Sequence, residues 1–238
     1  MDEFDKLTTG ALPEETVGKL SIVATPIGNL GDMTFRGLWT LKEAQVIYAE
    51  DTRVISKLLS HYGLRTSVQR LDAATESRKA KEVAARLRKN EHVAYVTDAG
   101  TPGISDPGAR LVAYVREHVP EVKIETLPGP SALTAALSIA GLAGDAFLFL
   151  GFLPHKKGRH TALAKMAASD VPVVLYESPH RILKLLAELA AHNIREVRIG
   201  RELTKMHEEF LVGEPLAVAA DLKKRGAARG ELVVIVDT

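Results

Sequence analysis

Cysteine is absent from this 238-residue sequence, which excludes disulfide bonds, thiolate nucleophiles and cysteine-ligated metals. The eight histidines are scattered and lack the spacing of metal ligands. No apolar run approaches the roughly 18 residues that a membrane-spanning helix needs, and the acidic, polar amino terminus does not resemble a signal peptide. We therefore expect a cytoplasmic protein that binds no metal and has no membrane partner.

Aromatic residues and net charge are also scarce. Aromatics make up 5% of the residues against 46% for all hydrophobic types, so the core is expected to consist of Ala, Leu, Val and Ile. The formal net charge is +1, which argues against a chain that binds nucleic acid over its whole surface. A local basic patch remains compatible with nucleic-acid binding.

The order of apolar segments predicts two domains. Strand and helix patterns alternate up to about residue 141, which is typical of a parallel sheet. Beyond that point three strands follow with little helix between them, which predicts antiparallel pairing. We predict an α/β fold with a flexible arm over residues 1–19, a parallel-sheet domain over 20–141, and a mixed-sheet α+β domain over 142–238.

The most informative stretch runs from Val96 to Gly108 and contains three glycines, two prolines and two aspartates. It follows an apolar strand and precedes a helix pattern, the position where open α/β folds bind ligands. It has neither a Gly-x-Gly-x-x-Gly nor a Gly-Lys-Ser/Thr motif and holds no Lys or Arg, so we expect a neutral or cationic ligand. The alternative is a tight turn in which Asp106-Pro107 caps the next helix. Ser178-Pro179 has the same capping pattern before a later helix.

Several ordered motifs resemble the tetrapyrrole methylase family of S-adenosylmethionine-dependent enzymes, and the resemblance covers about Leu20 to Val236. They are Thr-Pro-Ile-Gly-Asn-Leu at 25–30, Ala-Glu-Asp-Thr-Arg at 49–53, the loop 98–108, Leu-Pro-Gly-Pro-Ser-Ala at 127–132, Gly-Phe-Leu-Pro at 151–154 with Lys-Gly-Arg at 157–159, Tyr-Glu-Ser-Pro-His-Arg at 176–181, and Arg-Glu-Leu-Thr-Lys at 201–205.

The resemblance implies two α/β domains with the cofactor S-adenosylmethionine in the cleft between them, and a homodimer. Residues matching the cofactor site are Pro26, Ile27, Gly100, Thr101, Ile104, Ser131, Ala132 and Tyr176. A cationic sulfonium suits a loop without Lys or Arg, since glycine carbonyls there can face the polarised methyl. Asp98 is a candidate acceptor for ribose hydroxyls, and a capping role in its own loop is the alternative.

Within the family, the match implies methylation of the ribose 2′-oxygen of a cytidine in 16S ribosomal RNA, with the small ribosomal subunit as partner. A ribose hydroxyl is a poor nucleophile, so a nearby base would help. Motif position favours Glu50, Arg53, Glu177 and Glu202 as catalytic residues; Glu202 is expected on an extended stretch. The candidates for RNA-backbone contact are Lys156, Lys157, Arg159, Arg181 and Lys205.

Two alternatives stay open. One is a porphyrin or corrin C-methyltransferase of the same fold, and the other is a cofactor- or RNA-binding protein that has lost catalysis. Asp72-Ala73-Ala74-Thr75-Glu76 stands where ribosomal RNA enzymes of this group usually carry a His-rich segment, and only Glu76 matches it. That difference favours the alternatives, whereas the Lys157-Gly158-Arg159 loop favours RNA.

Overall fold

The computed structural model describes residues 18–144 and 146–237, and the chain divides into two compact units between Ser131 and Ala132. The predicted amino-terminal arm lies, up to residue 17, outside the described residues, and Lys19 already belongs to the first strand. No helix within the described ranges is long and apolar enough to cross a membrane.

The first unit is built from alternating strands and helices, as the sequence predicts. Its strands are β1 (Lys19–Val23), β2 (Val46–Ala49), β3 (Val68–Arg70), β4 (His92–Val96) and β5 (Lys123–Leu127). Its helices are α1 (Phe35–Glu43), α2 (Thr52–His61), α3 (Glu76–Leu87) and α4 (Ala109–His118). The strands form one sheet in the order β3-β2-β4-β1-β5, and every pair is parallel.

Local capping explains where the first two helices begin. Thr34 Oγ1 accepts the Gly37 N–H at 3.1 Å, and the Asp51 carboxylate accepts the Arg53 N–H at 2.8 Å. These bonds satisfy amide groups that the first turn of a helix leaves unpaired. They also define the residues at which α1 and α2 begin.

Both faces of the first sheet are covered, so this unit has three layers. On one face β1, β2 and β4 pack against α3 and α4 through residues that include Leu20, Tyr95 and Leu111. On the other face the same strands pack against α1 and α2 through residues that include Leu41 and Ile55. A parallel sheet buried on both faces needs strands that are apolar throughout, which is the pattern of β2 and β4.

The second unit contains a mixed sheet. Its strands are β6 (Leu148–Phe152), β7 (Val173–Glu177), β8 (Glu196–Arg201), β9 (Glu209–Gly213) and β10 (Leu232–Asp237). Its helices are α5 (Ala132–Ala140), α6 (Arg159–Ala167), α7 (Ile182–Ala191) and α8 (Pro215–Lys224). The order is β6-β7-β10-β8-β9, with β6 and β7 parallel and the other pairs antiparallel. The predicted mixed-sheet fold is thus confirmed.

Two local features differ from the sequence prediction. The division between the units falls ahead of α5, not at residue 141, because α5 packs against β8 and β10 of the second sheet. The Asp-Pro and Ser-Pro pairs do not cap helices: α4 begins after Gly108 and α7 after Arg181, so both prolines lie in the preceding turns. In each case the local sequence pattern located a turn correctly. Tertiary packing then determined where α4 and α7 begin and which sheet α5 joins.

Candidate functional site

Three loops meet at the carboxyl edge of the first sheet. Thr25, after β1, and Gly100, after β4, exchange two backbone hydrogen bonds of 3.0 Å each. The Thr101 hydroxyl donates to the carbonyl of Pro130, after β5, at 3.2 Å. Pro26 and Ile27 are buried next to this junction, and a Cβ at position 100 would lie 3.4 Å from Ile27 Cγ2. The structure therefore brings together the β1, β4 and β5 motifs that the sequence assigned to the cofactor.

The loop after β4 depends on backbone conformations that favour glycine. Gly100 has φ of +79° and Gly108 has φ of +125°. A Cβ at position 108 would also lie 2.6 Å from Cε1 of Tyr95, a distance that real Cβ atoms do not tolerate. The loop can therefore return to the sheet over the Tyr95 ring only if residue 108 has no side chain.

The same edge is acidic. Burial, followed by repulsion from Asp98 and Asp106, raises the pKa of the Glu50 carboxyl above its ordinary value. Burial, followed by the charge of Asp98, raises the pKa of Asp106 to about 6. Asp98 itself accepts the Asp51 N–H at 2.9 Å and so ties the loop after β4 to the start of α2. This bond goes to the backbone of another loop, so the ribose contact and the capping role within its own loop both stay predictions for Asp98.

Two buried hydroxyls at this edge have no hydrogen-bond partner among the described residues. They are the hydroxyl of Tyr95, whose side chain is fully buried, and Oγ1 of Thr97. Buried polar groups in native proteins are nearly always paired, and exceptions call for a ligand or water. Unpaired hydroxyls and carboxylates, beside a loop after β4 that contains no Lys or Arg, fit a ligand that carries hydroxyl groups and a positive charge, as S-adenosylmethionine does.

The remaining cofactor candidates are placed as follows. Ile104 is exposed in the loop after β4, and Ser131 is partly buried at the end of the first unit. Ala132 opens α5 in the second unit. Tyr176 lies in β7, where its ring centroid is 5.1 Å from that of Phe149 and 5.6 Å from that of Phe152. None of these positions tests the cofactor role of the four residues, which stays a prediction.

Arg53 is the most exposed of the four catalytic candidates, with 85% of its side chain accessible. Its guanidinium forms a two-pronged ion pair with Asp51, and this pairing, led by the side-chain hydrogen bond, lowers the pKa of the Asp51 carboxyl. Arg53 is thus exposed to solvent and ion-paired with Asp51 at the start of α2. Glu50 and Arg53 both follow β2 at the carboxyl edge of the first sheet, and their shared catalytic role stays a prediction.

Glu76, the one residue of segment 72–76 that matches the pattern of the ribosomal RNA enzymes, is buried in this region. Its Oε1 atom accepts three backbone N–H groups at the start of α4: Gly108 at 2.9 Å, Arg110 at 3.1 Å and Leu111 at 3.1 Å. The N-cap of α4 is a glycine and has no side chain to do this. Glu76 therefore caps α4 from another helix and anchors the end of the β4 loop. The sequence feature that could have indicated this capping role is the position of Glu76 at the end of segment 72–76.

Glu177 lies in a buried charge network of the second unit. Its side chain is fully buried and pairs with Arg181 at 2.6 Å and with Arg159 at 3.7 Å. Arg159 also bonds Glu188 at 2.6 Å. The two arginines further donate to the carbonyls of Leu153 and Pro154. These contacts give Glu177, Arg159 and Arg181 a structural role, which is to fix the loop that follows β6.

Glu202 and Lys205 pair with each other in a second group of contacts that stabilises a turn of the second unit. Oε1 of Glu202 accepts the Glu231 N–H and the Lys205 Nζ, both at 2.9 Å. Burial acts to raise the pKa of Glu202, but these two hydrogen bonds and the charges of Lys205 and Arg201 together outweigh it, so the pKa is lowered. The expected extended stretch is wrong: β8 ends at Arg201, and Glu202 has φ of +50° in a turn. The turn forms because its carboxylate binds backbone near the start of β10.

Lys156 and Lys157 are the two RNA candidates with exposed side chains, and in the described part of the chain neither forms an ion pair. They lie in the loop between β6 and α6. Among the residues that the structure describes, no group of three or more His, Asp or Glu is arranged to hold a metal ion.

Comparison with known proteins identifies the family. The sequence profile described as Tetrapyrrole (Corrin/Porphyrin) Methylases matches residues 19–217. The chain belongs to the tetrapyrrole methylase family. The match spans both units and includes every motif named above, so the resemblance drawn from those motifs is confirmed.

Relatives and solved structures refine the placement within the tetrapyrrole methylases. The chain is 44% identical over 224 residues, 92% of its length and 95% of the relative's, to "Ribosomal RNA small subunit methyltransferase I" of Hydrogenobaculum sp.. It is 41% identical to the Thermotoga maritima protein of the same name, covering 92% of this chain and 98% of that one. A cobalt precorrin-4 methyltransferase superposes with a TM-score of 0.66 at 20% identity, covering 95% of this chain and 98% of that one, which supports the fold alone.

Proposed function

We propose that this protein transfers a methyl group from S-adenosylmethionine to the ribose 2′-oxygen of a cytidine in small-subunit ribosomal RNA. The observation that carries the proposal is similarity along almost the whole chain, at 41–44% identity, to proteins named as ribosomal RNA small subunit methyltransferase I. The solved porphyrin and corrin methyltransferases match the fold at only 15–20% identity. The RNA substrate is therefore favoured over a tetrapyrrole.

The loops after β1, β4 and β5 are proposed to hold the cofactor. S-adenosylmethionine supplies an electrophilic methyl group on a sulfonium leaving group. Carbonyls of the Gly100 region would face that positive centre, and the unpaired hydroxyls of Tyr95 and Thr97 provide partners for its polar groups. The acidic edge formed by Asp98 and Asp106 would stabilise the sulfonium charge by Coulomb attraction.

Glu50 is the proposed base for the ribose hydroxyl. A carboxylate whose pKa is raised by burial and by neighbouring carboxylates holds a proton more strongly and is the better base near neutral pH. Arg53, exposed at the same edge, would position an RNA phosphate or the reacting hydroxyl. Lys156 and Lys157 would contact the RNA backbone. We also propose a homodimer in the cytoplasm as the working form.

The decisive experiment measures tritium transfer from labelled S-adenosylmethionine to unmodified 30S subunits, to naked ribosomal RNA and to uroporphyrinogen III. Alkali-resistant label at one ribose of the 30S RNA supports the proposal. Label in the tetrapyrrole contradicts it. No label in any acceptor, with cofactor binding confirmed by calorimetry, favours a binding protein that has lost catalysis.

Substitution tests the assigned base. Glu50→Gln removes the base while keeping the shape of the side chain, so kcat is expected to fall about 10²- to 10⁴-fold, with cofactor affinity within about threefold. Glu43→Gln, at an exposed position at the end of α1, is the matched control. Wild-type kcat in Glu50→Gln would remove Glu50 from the mechanism.

A further inference from the structure

Phe152 is an aromatic side chain that the proposed reaction leaves unexplained. It ends β6, the edge strand of the second sheet, and 56% of it is exposed. Large aromatic rings bury most of their surface in stable folds. A ring left largely in solvent at a sheet edge is therefore a candidate contact surface.

A bulge in β6 determines where the ring lies. Phe149 pairs with Val174 of β7, whereas Phe152 pairs with Tyr176, so β6 contains one extra residue between these two pairs. Gly151 sits there with φ of +60°. Residues three apart in a regular strand point to opposite faces, but here both Phe149 and Phe152 contact the Tyr176 ring. Bulges of this kind occur where a side chain is re-aimed, often beside an active site.

The chain around this ring is basic and held in place. From Ala146 to Ser169 the sequence contains no Asp or Glu, while Lys156 and Lys157 are exposed just after the ring. The loop that carries the two lysines starts at Leu153 and Pro154, whose carbonyls the buried arginines hold at 2.9 and 3.3 Å. An exposed aromatic ring next to a fixed loop of lysines is the combination with which proteins bind single-stranded nucleic acid.

We propose that Phe152 is a stacking platform for an unpaired base of the RNA substrate, with the adjoining backbone phosphates held by Lys156 and Lys157. This inference rests on the proposed function and specifies the form of its substrate, an unpaired segment in place of a duplex. Base-paired RNA cannot offer a base face to a protein ring, because its faces are stacked in the helix.

The test is the KM for unmodified 30S subunits in three variants. Phe152→Ala is expected to raise the KM roughly 5- to 100-fold, the range for losing one base–aromatic stack, with the Kd for S-adenosylmethionine unchanged. Phe152→Trp, which keeps a stacking face, should stay within about threefold of wild type. Leu216→Ala, at an apolar position in α8 with similar exposure of 53%, is the control and should have no effect.

A second measurement separates this proposal from the proposed function. Wild-type protein is mixed with a short single-stranded RNA that contains 2-aminopurine, whose fluorescence is quenched on stacking. If 30S subunits are not methylated but the wild type quenches this probe and Phe152→Ala does not, the platform stands and the proposed function falls. If Phe152→Ala keeps the wild-type KM, or if the wild type neither methylates 30S subunits nor quenches the probe, the platform is refuted. A change in the sedimentation of Phe152→Ala would assign the ring to a contact between copies of the chain and would also refute it.

Discussion

Removing the Glu76 carboxylate should destabilise the first unit by several kcal/mol. Its Oε1 accepts three backbone N–H groups, and its side chain is buried. One hydrogen bond to a charged acceptor contributes about 1.5–3 kcal/mol, and three bonds that share one oxygen contribute less than three times that amount. A buried N–H group left without an acceptor costs about 1–3 kcal/mol in addition, where water cannot replace the carboxylate. We therefore expect Glu76→Ala to lower the free energy of unfolding by about 3–4 kcal/mol.

The substitution series distinguishes charge from shape. Glu76→Gln keeps an acceptor oxygen and loses the charge that interacts with the amino-terminal end of α4, so it should cost about 1–2 kcal/mol. Urea unfolding monitored by circular dichroism gives the change in unfolding free energy for both variants, provided that the slope of free energy against urea concentration is unchanged. Glu117→Ala, in α4 with 79% of its side chain exposed, is the control and should stay within about 0.5 kcal/mol.

The reasoning also predicts a functional effect. The residue that Glu76 holds most closely is Gly108, the end of the loop proposed to bind S-adenosylmethionine, so cofactor affinity should fall in Glu76→Ala even where the protein remains folded. A loss of stability below about 1 kcal/mol in Glu76→Ala would refute the capping argument, because it would mean that water replaces the carboxylate without cost.

Three further substitutions test other parts of the structure. Gly108→Ala should cost about 2–5 kcal/mol of unfolding free energy, through backbone strain and the clash with Tyr95; wild-type thermal stability would contradict this. The folded-state pKa of Asp106 is raised to about 6, so its ionisation opposes folding, and stability is lost as the pH rises from about 4 through 6. Asp106→Asn should therefore gain about 1–2 kcal/mol over wild type at pH 8 and little at pH 4, by urea unfolding at both values, after allowance for partial exposure. Glu177→Gln should lose about 3–5 kcal/mol because Arg181 stays buried beside it, while the folded fraction retains turnover; the opposite pattern would make Glu177 catalytic.

The sequence predicts the architecture and the position of the loops after β1, β4 and β5 well, because local pattern identifies the strands that these loops follow. Apolar runs in β2 and β4 are long enough to identify buried parallel strands, and the glycines of the loop after β4 are required by backbone angles at Gly100 and Gly108. Loops that follow parallel strands must end at one edge of the sheet. Their convergence therefore follows from topology, although the Thr25–Gly100 bridge that joins them does not.

Residue roles in the second unit were less predictable, because they depend on partners far along the chain. From the sequence, Arg159 is interpreted as part of a basic loop. In the structure Glu188 of α7 pairs with it, and the guanidinium is buried. Glu202 reads as a strand residue, but its carboxylate binds backbone at Glu231. A charged residue in a short motif carries no local sign of whether its counter-charge lies in solvent, in a ligand or in a distant helix.

The position of β10 has a consequence for how the chain folds during synthesis. This strand is central in its sheet and pairs with both β7 and β8, yet in the chain it follows all the other strands of that sheet. Until Leu232–Asp237 has been made, β7 and β8 each expose an edge of unpaired backbone groups that is competent to pair with other chains. From β7 to β10 a ribosome needs on the order of 3–12 s at about 5–20 residues per second. Expression at lower temperature or with a holdase chaperone should therefore raise the soluble yield of the protein.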